Sequence, residues 1–434
     1  MTNAITEMRT LARGAFDDLL DAAAARKFLP RHLPAPPISG RVILLAGGKA
    51  AASMVEAAES HYLDTLGLPP ERLTGVAVTC YAHGRRTRRI PVIQSGYPRP
   101  DLFGVAGTER MLALADSAGF DDLVVVMLSA GAEANLVAPA RGLSLMDKQR
   151  IGDELLRAGA SRADMTRALG PMSAIKSGGL ALRAAPAEVV TIVLPDGTGD
   201  AMAEVGGAPS VPLRITRQDS RAVLERYRVT PTGAAEALFG GDHDDGLSGV
   251  DKLRVSPLRI GLDAADLLSV AGRRLMQNGY DVRDLGLSPA SDARHVALAH
   301  ATLALEARAA NRKTAILSCG RLLTASSRPG ETGPNLEYAL MLANTLRGAT
   351  GIVALSAGTD GTDGGVGQPT DACGALIDPV TLQRMEQAGV DAGRHLDNNR
   401  SAHAFRASGD CIVTGPTCTH ANDVRLILVN PALD

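Results

Sequence analysis

The chain has no tryptophan, and its aromatic residues make up only 3% of 434 positions. So few rings exclude the stacking platforms that hold single-stranded nucleic acids. Charge of one sign is also lacking: 45 Lys and Arg stand against 47 Asp and Glu, a formal net charge of −2. The basic excess of a nucleic-acid partner is absent, and so is the acidic excess of a solvating tail. The five cysteines, Cys80, Cys319, Cys373, Cys411 and Cys418, form no C-x-x-C pair and are odd in number. Their pattern excludes a zinc knuckle or a disulfide framework and points to a reduced, cytoplasmic protein. No apolar run reaches about 18 residues, so no membrane span is expected. Residues 1–13 carry Glu7, Arg9 and Arg13 among their apolar positions, which is not a signal-peptide core.

What is present is ordinary for a globular chain: 45% apolar and 21% charged residues. The length suggests two domains, with about three quarters of the unfolded surface buried. Short, continuous apolar runs recur at 41–46, 123–128, 189–194, 314–317 and 351–355, each ending in small or turn-forming residues. Continuous rather than alternating runs belong to strands buried on both faces of a parallel sheet. Segments 50–63, 104–117, 147–158, 295–310, 335–346 and 379–388 show helical spacing of apolar positions. Strands alternating with helices give an α/β fold. We expect two α/β domains with largely parallel sheets, a Rossmann-like N-terminal one and a smaller C-terminal one. The Gly- and Asp-rich stretch 240–246, GGDHDDG, suits a linker. It sets the expected domains at 1–240 and 250–434.

Several loops carry chemistry. Gly47-Gly48-Lys49 joins a strand to a helix; glycines let a backbone approach phosphate, and a helix N-terminus favours anions. The Walker A and G-x-G-x-x-G patterns both fail here, so a tight turn with a solvated lysine is the plain alternative. Asp196 and Asp200, four apart in a Gly-rich loop, could hold Mg²⁺ or take a proton from a hydroxyl, or simply make a turn. The densest signal is 356–364, SAGTDGTDG, with Asp360 and Asp363; long loops at strand ends are often functional. The basic run 85–89 reads as a solvated face. Nine histidines show no metal-ligand spacing.

Taken together, 355–364 (LSAGTDGTDG), 369–375 (PTDACGA), Asn398-Asn399, 413–417 (VTGPT) and Asn422-Asp423 resemble the glycerate 2-kinase family, often labelled hydroxypyruvate reductase. The same register holds at Gly48-Lys49-Ala50-Ala51, 142–148 (GLSLMDK), Gly159-Ala160 and 173–179 (SAIKSGG). The resemblance covers nearly the whole chain. It implies a glycerate kinase domain followed by a MOFRL-type domain, with the active site in a cleft between them. It further implies transfer of the γ-phosphoryl of ATP to the 2-hydroxyl of glycerate with Mg²⁺. On that basis Lys49 neutralises phosphate charge, and Asp196 and Asp200 hold Mg²⁺ or, for Asp196, act as base. Gly47, Gly48, Ser129, Ser173, Lys176, Asn335, Glu337, Asp360 and Asp363 bind substrate or nucleotide.

Departures from the family pattern fall at the same loops. The family's Ser-Gly-Gly-Gly-Ser-Ala is here 129–134, SAGAEA, which introduces Glu133. Its Arg-Lys-His cluster is absent from 166–173, its Gly-Gly-Arg-Asn becomes 332–335 without the Arg, and its His before Pro is Tyr97. Arg321 or Arg328 could stand in for the missing Arg. Four residues, 365–368, are added to the Asp-rich loop. Phosphoryl transfer rests on positioning and charge stabilisation, so fewer cations leave two other readings open. One is a paralogue that binds a ligand without turnover; the other is a nicotinamide-dependent hydroxypyruvate reductase. The expected partner is a small sugar acid, with a homodimer allowed for and no nucleic acid or membrane.

Overall fold

Continuous apolar runs build the first sheet. Its strands are β1 (Val42–Gly47), β2 (Leu73–Cys80), β3 (Val92–Ser95), β4 (Leu123–Leu128), β5 (Glu188–Val193), β6 (Arg254–Val255) and β7 (Arg259–Ile260). The computed structural model describes residues 2–194, 205–240, 253–324, 331–365 and 367–433. Asp196, Asp200, Arg328 and all but Gly240 of the expected linker at 240–246 lie outside the described residues. The sheet order is β3-β2-β1-β4-β5-β6, with β7 also on β5, and every pair is parallel. β1 and β4 are buried along their whole length, as unbroken apolar runs require. The chain moves outward from β1 to β3, then returns to β4 on the other side of β1. The strand order therefore reverses between β1 and β4, where doubly wound sheets place their ligands. Helices Leu102–Asp116 and Leu145–Arg157 start on side-chain caps, Asp101 in the first and a Ser144/Asp147 capping box in the second.

The second sheet contains β8 (Asp281–Leu287), β10 (Thr314–Cys319), β12 (Ile352–Gly358), β13 (Gly374–Ile377), β14 (Cys411–Ile412) and β15 (Asp423–Val429). A short pair, β9 (Ser291–Asp292) and β11 (Leu322–Leu323), stands apart from it. The order is β14-β13-β12-β15-β10-β8. The α/β class holds in both sheets, but the expected parallel pairing needs a correction here. β8 and β10 are parallel, while β15 runs antiparallel to β10 and β12, and β13 antiparallel to β12 and β14. Parallel alignment needs a crossover connection. Helices Ala293–Ala309 and Pro334–Leu346 supply it from β8 to β10 and from β10 to β12. No helix among the described residues joins β12 to β13 or β14 to β15, so those strands fold back.

The described residues form two units, one from Phe28 to Gly261, the other joining the segment up to Lys27 to Leu262 onward. The expected division took each domain as continuous in sequence. The helix Thr2–Ala22 departs from that: it packs on helix Ala264–Gln277 and on β12. Ala12, Ala15, Phe16 and Leu19 are fully buried there. Arg9 binds Asp378 and Asp410 at 2.5 and 3.1 Å, and Arg384 shares both carboxylates. No helix among the described residues is long and apolar enough to cross a membrane.

Candidate functional site

At the reversal of the first sheet, the turns after β1 and β4 interlock. Lys49 N–H donates to the Ala130 carbonyl at 2.9 Å, Ser129 N–H to the Gly47 carbonyl at 3.0 Å, and Gly48 N–H to the Val78 carbonyl at 3.1 Å. The Ser129 hydroxyl accepts the Ala50 N–H at 3.0 Å. Gly48 has φ +105°, and a Cβ there would lie 2.4 Å from the Ser129 carbonyl oxygen. A Cβ on Gly47 would strike Leu136. The sequence suggested backbone amides free to cradle phosphate. Instead the N–H groups of Gly48, Lys49 and Ala50 are satisfied within the protein, and Gly47, Gly48 and Ser129 lock two loops together. Lys49 brings a positive side chain to this corner. Lys49 is buried, and its Nζ lies 4.7 Å from the centre of the Tyr97 ring. The ring face attracts the ammonium, so the residue that replaces the family's His fixes the lysine. Asn135 ties the corner to the turn after β3 by donating to Ser95 Oγ and the Gly96 carbonyl at 2.9 and 3.2 Å.

The remaining N-terminal candidates sit elsewhere in this unit. Ser173 donates to the Ala138 carbonyl at 3.3 Å, beside a bridge between Pro139 and Ser173. Lys176 donates to the Glu133 carbonyl at 3.1 Å and lines a cavity of about 160 Å³. Lys148, the last residue of the family-like segment 142–148, lines the same cavity.

In the C-terminal unit, Asn335 and Asp363 meet at the start of helix Pro334–Leu346. Asp363 accepts the Asn335 N–H, the Asn335 Nδ2 and the Leu336 N–H at 3.1, 3.1 and 2.8 Å. Asn335 Nδ2 also donates to Asp423 Oδ1 at 2.8 Å, and Asn335 Oδ1 accepts the Ser356 hydroxyl at 2.8 Å. Burial, and then the nearby Asp423 charge, push the Asp363 carboxyl up to about 8. Burial also raises Asp423, while hydrogen bonds from the Leu322 N–H and Asn335, and then the Arg425 charge, hold it down. Asp360 accepts the Thr362 N–H at 3.2 Å and lies 3.7 Å from His420 Nδ1. Glu337 is a different kind of group. It receives Arg294 Nε at 2.7 Å and the Thr332 hydroxyl at 3.0 Å, so it anchors a partly buried ion pair. Arg425 is buried on β15, donating to Ser318 Oγ at 2.7 Å and the Gly320 carbonyl at 2.8 Å. It faces Asp423 electrostatically, whereas Arg321 is exposed. The only sequence signal for Arg425 was a charge inside an apolar strand run, and for Asp423 its place beside Asn422.

Among the described residues no group of three or more His, Cys, Asp or Glu side chains is placed to hold a metal ion. The candidate Mg²⁺ ligands, Asp196 and Asp200, fall outside them.

A family model described as a domain of unknown function, DUF4147, matches residues 11–238, and a MOFRL family model matches 314–423. A D-glycerate 2-kinase of Thermotoga maritima is 32% identical over 394 residues, covering 90% of this chain and 91% of its own. A protein of Agrobacterium vitis, provisionally named hydroxypyruvate reductase, is 33% identical over 428 residues, covering 97% and 94%. The crystal structure of a glycerate kinase from Thermotoga maritima superposes with a TM-score of 0.82 at 29% identity, covering 98% of this chain and 100% of that one.

Proposed function

Since the chain belongs to the glycerate 2-kinase family and is a glycerate kinase-like enzyme, we propose that it transfers the γ-phosphoryl group of ATP to the 2-hydroxyl of D-glycerate or a closely related small sugar acid. The observation that carries this reading is Lys49, held at the strand-order reversal by the Tyr97 face and by two interlocked loops. Phosphoryl transfer asks little covalent chemistry of a protein; it asks for fixed positive charge where phosphate charge gathers. A lysine whose stem is packed and whose ammonium is oriented before substrate arrives meets that demand. Bound Mg²⁺ would screen phosphate charge further, with Asp196 and Asp200 as its carboxylates by family resemblance. The described residues offer no alternative metal set.

The test is ADP release, with phosphorus NMR of the product, across D-glycerate and several four-carbon sugar acids. We expect acid-dependent ADP release, and a kcat/KM roughly 10²–10³ lower in Lys49→Ala, the usual loss when one charge-stabilising donor is removed. The Glu133 carboxylate, turned back onto the Gly131 N–H at 3.2 Å, favours one second reading: a paralogue that binds without turnover. Mg-ATP binding with no ADP release for any acid would establish it. NADH oxidation with hydroxypyruvate, without ADP release, would overturn the kinase reading.

A further inference from the structure

Lys148 and Lys176 are an unusual pair. They are 5% and 7% exposed, and each ammonium donates to a backbone carbonyl, Met172 and Glu133 respectively, at 3.1 Å. Among the described residues neither Nζ makes an ion pair with a carboxylate. A buried cation without a counter-ion is costly, and a native chain keeps one where something else supplies the charge. Burial drives the Lys148 ammonium well below its ordinary range, and the Lys176 charge pushes it the same way. Lys176 is lowered by burial and partly restored by Glu133.

Both lysines line the 160 Å³ cavity. The other charges on its wall are Arg99, Glu133 and Asp153. Arg99 pairs with Asp153 at 3.4 Å, and the Glu133 carboxylate turns to the Gly131 N–H. The wall thus carries three basic side chains against two carboxylates, and among the described residues neither lysine has a carboxylate partner of its own. The rest of the wall is mostly apolar, including Leu136, Val137, Met165 and Leu169. A pocket of about this volume takes a benzene-sized body. Such walls suit hydrocarbon better than a polyhydroxylated chain or a bare phosphate.

We propose that this pocket binds a small carboxylate with an aliphatic or aromatic body, its carboxylate held between the ammonium groups of Lys148 and Lys176. The proposal gives to this carboxylate Lys176, which the family resemblance assigned to substrate or nucleotide, and it requires neither nucleotide nor phosphoryl transfer.

Benzoate is the probe, titrated calorimetrically into the full-length protein at pH 7.5 in two buffers of different ionisation heat. An anion beside Lys148 favours its charged form. The complex is therefore expected to take up a fraction of a proton. Lys148→Met should weaken benzoate at least tenfold and abolish the proton uptake. Leu156, on the same wall and 56% exposed, offers a variant that keeps both lysines and leaves the core alone. Leu156→Trp should narrow the pocket and weaken benzoate as well. Absence of benzoate binding at millimolar concentration would overturn the proposal, as would binding indifferent to both substitutions. Competitive displacement of benzoate by Mg-ATP would also overturn it, by giving the pocket to the nucleotide. A protein with no kinase turnover would leave every one of these readouts in place, so the two failures are separable.

Discussion

Asp363 serves two opposed demands. It accepts two backbone N–H groups at a helix start whose N-cap, Gly333, has no side chain to do so. Those bonds favour the ionised form, yet burial and Asp423 outweigh them and bring the group up to about 8 from an ordinary 3.8. The sign of the consequence follows. Between those values the folded chain binds more protons at this position than the unfolded chain. Stability therefore falls as pH rises from about 4 to about 8 and is then level. Asp423, also raised by burial, contributes in the same direction. We expect the urea midpoint to be lower at pH 8.5 than at pH 6. Asp423→Ala removes the repulsion on Asp363 and should reduce that fall by about 1 kcal/mol or more, each pKa unit being worth about 1.4. Equal pH slopes in the two proteins would show that the carboxylates do not interact.

At the scale of elements, the joint between β1 and β4 makes the sharpest demand on sequence. Gly48→Ala puts a methyl group 2.4 Å from a carbonyl oxygen at φ +105°, and backbone on both sides prevents relief. The expected cost is about 2–4 kcal/mol, left-handed strain adding to the clash, together with a loss of activity as the Lys49 turn shifts. Gly67→Ala is the control: φ is +64° but no atom lies within 4 Å, so only about 1–2 kcal/mol of backbone strain applies. Similar losses in both, by denaturant titration, would remove the packing argument. This joint also shows where sequence reading stops. Strands β1, β4, β5, β10 and β12 were legible because burial on both faces leaves an unbroken apolar run. β8 was not, because one edge of its sheet is exposed and its residues read as polar. Gly47-Gly48-Lys49 was legible as a strand-to-helix turn. That its amides are occupied was not, since their partners, Val78, Ala130 and Ser129, arrive from β2 and the turn after β4. In the same way Glu337 looked like a site acid because Arg294, its partner at 2.7 Å, is 43 positions away.

For the molecule as a whole, the N-terminal helix is the element whose allegiance no local pattern could reveal. Its apolar stripe says that it packs; only contacts across the length of the chain say on what. Arg9 reaches Asp378 and Asp410, and Arg274 reaches Asp18 at 2.8 Å. The Arg274–Asp18 pair is exposed and contributes little, and the Arg9 pairs must offset the desolvation of two buried carboxylates, so the apolar face supplies most of the adhesion. Phe16 and Leu19 are fully buried in it. Phe16→Ala should therefore cost about 3–5 kcal/mol, the usual loss for a deleted core ring. The cost should fall on one unit. By hydrogen exchange, amides of β10, β12 and β15 are expected to lose protection in this variant, while those of β1, β4 and β5 keep theirs, because local opening follows the unit that lost the contact. Protection lost in β1 and β4 with β12 intact would assign the helix to the other unit and would restore a division continuous in sequence.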